Sequence, residues 1–259
     1  MRQRCALLIE YDGTKYAGWQ RQVNALTVQE VLEEAVKRIV GEGVTVIGSG
    51  RTDSGVHGFG QVAHVDVPIT CTIPDEKLAR AFNSALPFDV RIRAAKRVAD
   101  TFHARFDAVR REYRYTLTQD FSVFRRYYAW QQTLAFDTFV LQSAAEVFLG
   151  KHNFTAFSKH NPDTENYVCT VEKAYWTEVE RGTWHFRIAA DRFVYGMVRS
   201  IVGAIMDAAL HKRTIDDLRA ALARQERLHT SAIAPAQGLV LWQVDYENDI
   251  FGEPAVANR

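Results

Sequence analysis

Cysteine is scarce in this chain and badly placed for pairing. Cys5, Cys71 and Cys169 are odd in number, far apart and never spaced C-x-x-C, which argues against a disulfide framework and a zinc site alike. They read as small buried hydrophobes. Long apolar runs are missing too. None approaches the roughly 18 residues that a membrane span needs, and the N-terminal apolar stretch gives way at once to Glu10 and Asp12, unlike a secretory signal. A cytoplasmic protein is the expectation. Charge of either sign is not in excess: 32 basic against 31 acidic residues leave a net +1, which is no global signature of nucleic-acid binding. Glycine is used sparingly, 15 times in 259 residues, except in one place.

What is present is the composition of a globular protein, 47% hydrophobic and 24% charged, in a length that suits one large domain or two ordinary ones. Charge is unevenly spread. Residues 91 to 126 carry ten Lys or Arg against four acids, a candidate polyanion-binding stripe that would otherwise read as a solvated surface.

Periodicity predicts a strand at Cys5 to Glu10, then a helix over Val28 to Val40 opened by a capping-box pattern, Thr27 to Glu30. Strands at Val44 to Ile47 and Gln61 to Val67, a helix near Pro74 to Ala85 and a strand at Val90 to Val98 follow. The second half gives a strand Glu112 to Leu117, helix Asp137 to Phe148, strands Val168 to Val179 and Trp184 to Ala189 around an Arg181-Gly182 turn, helices Phe193 to Leu210 and Asp216 to Arg224, and a strand Leu239 to Tyr246. The order β-α-β-β-α-β occurs twice. The fold expected is α+β: two ferredoxin-like, RRM-like halves with antiparallel-rich sheets, residues 1–106 and 107–259, with a cleft between them.

The exception in glycine usage is GSGRTDSGVHGFGQ, with glycines at 48, 50, 55, 58 and 60 around Arg51-Thr52-Asp53. It is not a nucleotide loop: Asp53 stands where G-x-G-x-x-G needs its third glycine, and no Lys-Ser/Thr follows a glycine as a P-loop requires. A metal site would recruit Asp53, His57, His64 and Asp66, but the last two fall in an alternating strand whose polar outer face accounts for them. What remains is a carboxylate on a loop, with a guanidinium two residues before it to keep it ionised and glycines that let a planar ligand approach. Asp53 is a candidate nucleophile or base. A turn held by an Arg-Asp ion pair is the plainer alternative.

GRTDSGVHGFGQ closely resembles the catalytic motif of the TruA-type tRNA pseudouridine synthases, G-R-T-D-x-G-V-H-x-x-x-Q. Further segments agree in order: EYDGTKYAGWQRQ with TVQ at Thr27 to Gln29, FHARF at Phe102 to Phe106, REYRY at Arg111 to Tyr115, FVYGMVRSIVG at Phe193 to Gly203, and Gly238-Leu239 before the last strand. The resemblance implies an isomerase that breaks the N1 glycosidic bond of a tRNA uridine, turns the base and rejoins it through C5, with no cofactor and no metal. It implies Asp53 as the essential aspartate, as nucleophile or as base, and Arg51 paired with it or holding the target's backbone open. Tyr113 matches the substrate-contacting tyrosine and Arg199 the arginine of M-V-R, facing Asp53 or a phosphate; His57 belongs to the motif and Arg105 contacts RNA. It also implies a homodimer and a target in the anticodon arm, positions 38 to 40 of tRNA. Tyr195-Gly196 and the loop HNFTAFSKHNPDTENY depart from the pattern.

Alternation in REYRY puts Arg111, Tyr113 and Tyr115 on one face, where a ring beside basic groups can stack on an extruded base. Tyr115 reads as a half-buried sheet residue. Phe193, Met197, Ile201 and Ile205 have the spacing of a buried helical stripe. Two other readings compete. A non-catalytic RNA-binding protein of two RRM-like halves would show an aromatic RNP-like run, which is missing; a metal-dependent nuclease would pair carboxylates near Asp53, and none is so placed.

Overall fold

The computed structural model describes residues 1–162, 164–226 and 232–252. It is a mixed α/β chain with mostly antiparallel strand pairing, and it divides into two compact units, Met1–Val109 with Leu241–Arg259, and Arg110–Val240. No described helix is long and apolar enough to cross a membrane.

The first unit holds β1 (Arg2–Tyr11), α1 (Val28–Val40), β2 (Val46–Gly48), β3 (His57–Pro68), α2 (Asp75–Asn83) and β4 (Val90–Arg97). β1 lies between β3 and β4, antiparallel to both, and β2 pairs with β3. Alternation decides which faces are dry. Cys5, Leu7, Ile9 and Tyr11 of β1 point to one side with Ala63, Val65 and Val67 of β3. Over them α1 lays Val28, Leu32 and Val36, spaced i, i+4, i+8, and α2 adds Leu78 and Phe82. Thr27 caps α1 by accepting from the Glu30 N–H, and Gly41 closes it in a left-handed conformation, φ 82°.

The second unit holds β5 (Ala108–Thr118), β6 (Trp130–Gln131), α3 (Thr138–Glu146), β7 (Gly150–Asn153), β8 (Val168–Glu180), β9 (Thr183–Ala190), α4 (Met197–Ala209) and α5 (Ile215–Arg224). β9 is antiparallel to both β5 and β8, and β7 edges β8. The last strand, β10 (Leu239–Tyr246), begins at the end of this unit's sequence and passes into the first unit at Leu241.

Several expectations need correcting. β6 and β7 were not anticipated, because two and four residues with no alternation leave no periodic trace. The helix expected from Phe193 starts at Met197: Gly196 at φ 72° makes a left-handed N-cap, and Phe193 stays in the preceding loop. Met197, Ile201 and Ile205 are buried as the stripe required. Nor are residues 91 to 126 a uniform solvated run. Arg97 bonds to Asp75, Gln3 and the Cys71 and Ile73 carbonyls, Arg111 donates to the Asp191 carbonyl at 2.9 Å, and Arg125 pairs with Glu180. Asp163, in the idiosyncratic loop, lies outside the described residues.

His64 is a further correction, since it is 2% exposed and not on a polar outer face. Its Nδ1 accepts from the Ala104 N–H at 3.1 Å, under the segment that follows β4. Burial, reinforced by the charges of Arg4 and His103, lowers its pKa from 6.5 to about 4. The sign follows. As pH falls below 6.5 the unfolded chain takes up a proton that the folded one refuses until about pH 4, so stability declines across that window. Thermal unfolding between pH 7 and 4.5 should lose on the order of 2 to 3 kcal/mol on this account. In His64→Asn, whose amide oxygen can still accept from Ala104, the decline should be visibly shallower; an unchanged slope would assign it elsewhere.

Candidate active site

Asp53 sits in the tight turn between β2 and β3, where the Val56 N–H donates to the Asp53 carbonyl at 3.1 Å and Gly55 takes φ 76°. The loop is built against the segment after β1, two stretches that the sequence presents as separate. Trp19 N–H donates to the Thr52 carbonyl at 3.1 Å, and Gly55 N–H to the Tyr16 carbonyl at 3.3 Å. Tyr11 and Thr52 share a hydroxyl hydrogen bond of 2.9 Å in a buried setting, and burial pushes the Tyr11 phenol well up from its ordinary range. Gln61 closes the loop from the β3 side: its Oε1 accepts from Ser49 Oγ at 2.6 Å and its Nε2 donates to the Gly50 carbonyl at 2.9 Å. These bonds that shape the turn are made by main chain or by residues other than Arg51 and Asp53.

The glycines do something different from what their number suggests. Only Gly55 of the five has a positive φ. Gly48, Gly58 and Gly60 are packing glycines: a Cβ at 48 would meet the Trp19 ring at 2.6 Å, and those at 58 and 60 would overlap the Tyr11 ring and the Trp242 carbonyl. Gly50 opens on empty space, with nothing within 4 Å of its Cβ position. Phe59, between them, is stacked on Trp242 with ring centroids 4.2 Å apart, and the Arg93 guanidinium carbon lies 4.3 Å from the Phe59 centroid, an arrangement that helps fix this end of β3.

Arg51 does not pair with Asp53. Its Nε donates to Gln20 Oε1 at 3.1 Å, so the exposed guanidinium is steadied from the post-β1 segment. Asp53 itself is half-buried. His57 is 4% exposed, and its Nδ1 accepts from the Gly13 N–H at 3.0 Å. An Asp12 carboxylate oxygen lies 3.1 Å from the same nitrogen. The other residues of a metal reading are occupied as well: Asp66 accepts two hydrogen bonds from Arg4, at 2.8 and 2.9 Å, which lowers its pKa.

Arg105 is exposed on the turn that follows Phe102, in the same unit. Tyr113 and Arg199 belong to the second unit. Tyr113, on β5, is 8% exposed and meets Phe193 edge-on at 5.0 Å. Arg199, in the first turn of α4, donates from Nε to the Ala234 carbonyl at 2.8 Å and accepts through its own carbonyl from the Ala234 N–H at 3.0 Å. Tyr115 is fully buried and donates to the adjoining Pro235 carbonyl at 2.9 Å, so it supports this segment from inside. Sequence reasoning missed Tyr11, Thr52, Trp19 and Gln61 as the loop's frame. The signal was there in EYDG, GWQ and the closing glutamine of the motif, but nothing short of the fold shows that these are neighbours.

A family model described as tRNA pseudouridine synthase matches residues 7–107 and 144–247. The chain belongs to the tRNA pseudouridine synthase family. It is 37% identical over 249 residues to tRNA pseudouridine synthase A of Bacteroides fragilis, covering 96% of this chain and 98% of that one. To tRNA pseudouridine synthase A of Bacillus subtilis it is 38% identical over 252 residues, covering 96% of this chain and all of that one, 100%. A solved archaeal box H/ACA sRNP Nop10-Cbf5 complex aligns with 78% of this chain and 43% of its own at 13% identity and a TM-score of 0.34, too slight a likeness to carry an argument. As a tRNA pseudouridine synthase the protein is an isomerase acting on uridine in tRNA, and the turn that presents Asp53 lies inside the first matched stretch.

Proposed function

We propose that this synthase modifies the anticodon arm, at positions 38, 39 and 40 of tRNA, and that the Asp53 carboxylate is its essential group. The observation that carries the assignment to Asp53 is the frame just described: a carboxylate displayed on a turn that main-chain bonds hold rigid, within the family's G-R-T-D-x-G-V-H pattern. Reaction geometry must be set before substrate arrives, and a pre-shaped turn does that at no cost on binding. Asp53 supplies an electron pair, to the ribose or base as nucleophile or to a sugar proton as base, and needs no cofactor for either.

Arg51, steadied at Nε by Gln20, offers its terminal nitrogens to the backbone of the extruded nucleotide. Tyr113 contacts the flipped base, Arg199 a phosphate or Asp53, Arg105 the RNA, and His57 keeps the turn in register. Extrusion of the target costs a few kcal/mol, offset by these contacts. The strand order β4-β1-β3-β2 in the first unit, and β5-β9-β8 in the second, supports two ferredoxin-like halves. The half ending at Phe106 carries the catalytic loop, and the half from Asp107 carries Tyr113 and Arg199. The enzyme works in the cytoplasm as a homodimer, with one tRNA touching both subunits.

Tritium release tests the site choice. Transcripts of one tRNA with 5-tritiated uridine at 38, 39 or 40 only, incubated without added metal or cofactor, should each release label, and a transcript with cytidine at all three and 5-tritiated uridine at its other uridine positions should release none. Release from that last transcript would place the target elsewhere; tight binding with no release from any would favour the RNA-binding reading.

A further inference from the structure

Phe106 is 75% exposed, at the tip of the FHARF segment, and nothing in the proposed chemistry uses it. A lone apolar side chain on a surface is ordinary. What surrounds this one is not. The turn 103–107 is closed by its own main chain and side chains: the His103 N–H donates to Asp107 Oδ2 at 2.8 Å, the Asp107 N–H to the His103 carbonyl at 3.0 Å, and the Arg105 and Phe106 N–H groups to His103 Nδ1 at 3.2 and 3.3 Å. It is then bolted to the sheet from three sides. Arg4 donates to the Phe102 carbonyl at 2.8 Å, Tyr246 to the Ala104 carbonyl at 2.7 Å, and the Ala104 N–H to buried His64.

The ring inherits that rigidity. The His103 imidazole lies against it, centroids 4.3 Å apart and planes at 33°, and the Arg105 guanidinium carbon is 5.6 Å from its centroid. An aromatic surface held in one place, wet, and accompanied by a guanidinium is what single-stranded nucleic acid recognises: the ring stacks on a base of any sequence, and the cation answers the phosphate. Because the turn is ordered beforehand, little side-chain freedom is lost on contact. Its anchor, His64, is seven residues along β3 from His57, about 23 Å at the usual strand rise. The base it meets is therefore not the uridine that Asp53 attacks.

We infer that Phe106 stacks on an unpaired base of the tRNA other than the target uridine, with Arg105 at the neighbouring phosphate. The inference rests on the reading of this chain as a tRNA synthase and adds a binding contact to it. Steady-state tritium release with whole tRNA, for the full-length wild type, Phe106→Ala, Phe106→Leu and Phe106→Tyr, tests it. The alanine variant should raise KM about tenfold, the worth of one stacked base, with kcat within about twofold and the unfolding midpoint unchanged. Tyrosine should restore KM, and leucine, which has apolar area but no π face, should not. A wild-type KM in the alanine variant would overturn the inference. So would full rescue by leucine, or a sedimentation shift that tracks KM, which would make Phe106 a contact between copies of the chain. Release by the wild type is the separate check on the reaction: should it fail, gel-shift binding of the same tRNA by the same variants still reads Phe106 directly.

Discussion

Asp53→Asn is expected to bind tRNA as tightly as the wild type, within about threefold, and to release tritium from 5-tritiated uridine at least roughly 10³-fold more slowly. The substitution exchanges one oxygen for an NH₂ group and leaves volume and shape alone. Bonds that shape the turn come from the Val56, Gly55 and Trp19 N–H groups, the Tyr11–Thr52 hydroxyl pair and the Gln61 side chain. None of these bonds uses the Asp53 carboxylate, so the loop should survive the change. An amide has no ionised electron pair to offer a sugar carbon, a pyrimidine or a proton, and the isomerisation has no other step at which the loss could be recovered. Affinity should persist because most of it comes from contacts to the RNA backbone spread over a much wider surface. A variant that converted uridine at more than a tenth of the wild-type rate would remove Asp53 from the chemistry. One that lost binding and turnover together would make it a structural residue of the turn.

Much of this was legible in the residues. α1 and β10 lie where the sequence places them, α1 because a stripe at i, i+4, i+8 has one interpretation, β10 because LVLWQV is a short apolar run after a glycine. The reaction was legible for another reason: the twelve-residue motif and the segments that agree with it in order carry the family resemblance that the family model and the relatives bear out. What the residues could not show was who touches whom across the chain. A run of five glycines suggests flexibility, yet three of them are small because Trp19, Tyr11 and Trp242 press on the main chain there. Arg51 two residues before Asp53 suggests an ion pair, yet Gln20, thirty-one positions away, holds the guanidinium. Alternation put His64 outside, and the segment after β4 folds back over that face. Each error has one cause: local pattern reports which face a residue is on, and only tertiary packing says what covers the face.

Gly13→Ala is expected to slow turnover roughly 100-fold, although Gly13 lies outside the GRTDSGVH motif. A Cβ at position 13 would overlap the Val56 carbonyl oxygen, and both partners are main chain, so neither can swing aside. The same residue donates its N–H to His57 Nδ1. Making room means shifting either the 3-10 turn Gly13–Lys15 or the Asp53–Val56 turn, and a displacement on the order of 1 Å at reacting groups costs roughly 100-fold in rate. Overpacking of this kind also destabilises by about 1 to 3 kcal/mol, so the unfolding midpoint should fall by several degrees. Gly50→Ala is the contrast within the motif, since nothing lies within 4 Å of its Cβ position and its φ is not positive. Its unfolding midpoint should match or slightly exceed that of the wild type, because alanine restricts the unfolded chain. If Gly50→Ala nevertheless loses turnover with its stability intact, the open space beside residue 50 is where the nucleotide's backbone passes; if Gly13→Ala keeps both, the turn yields more easily than its main-chain frame implies, and rigidity is not what presents Asp53.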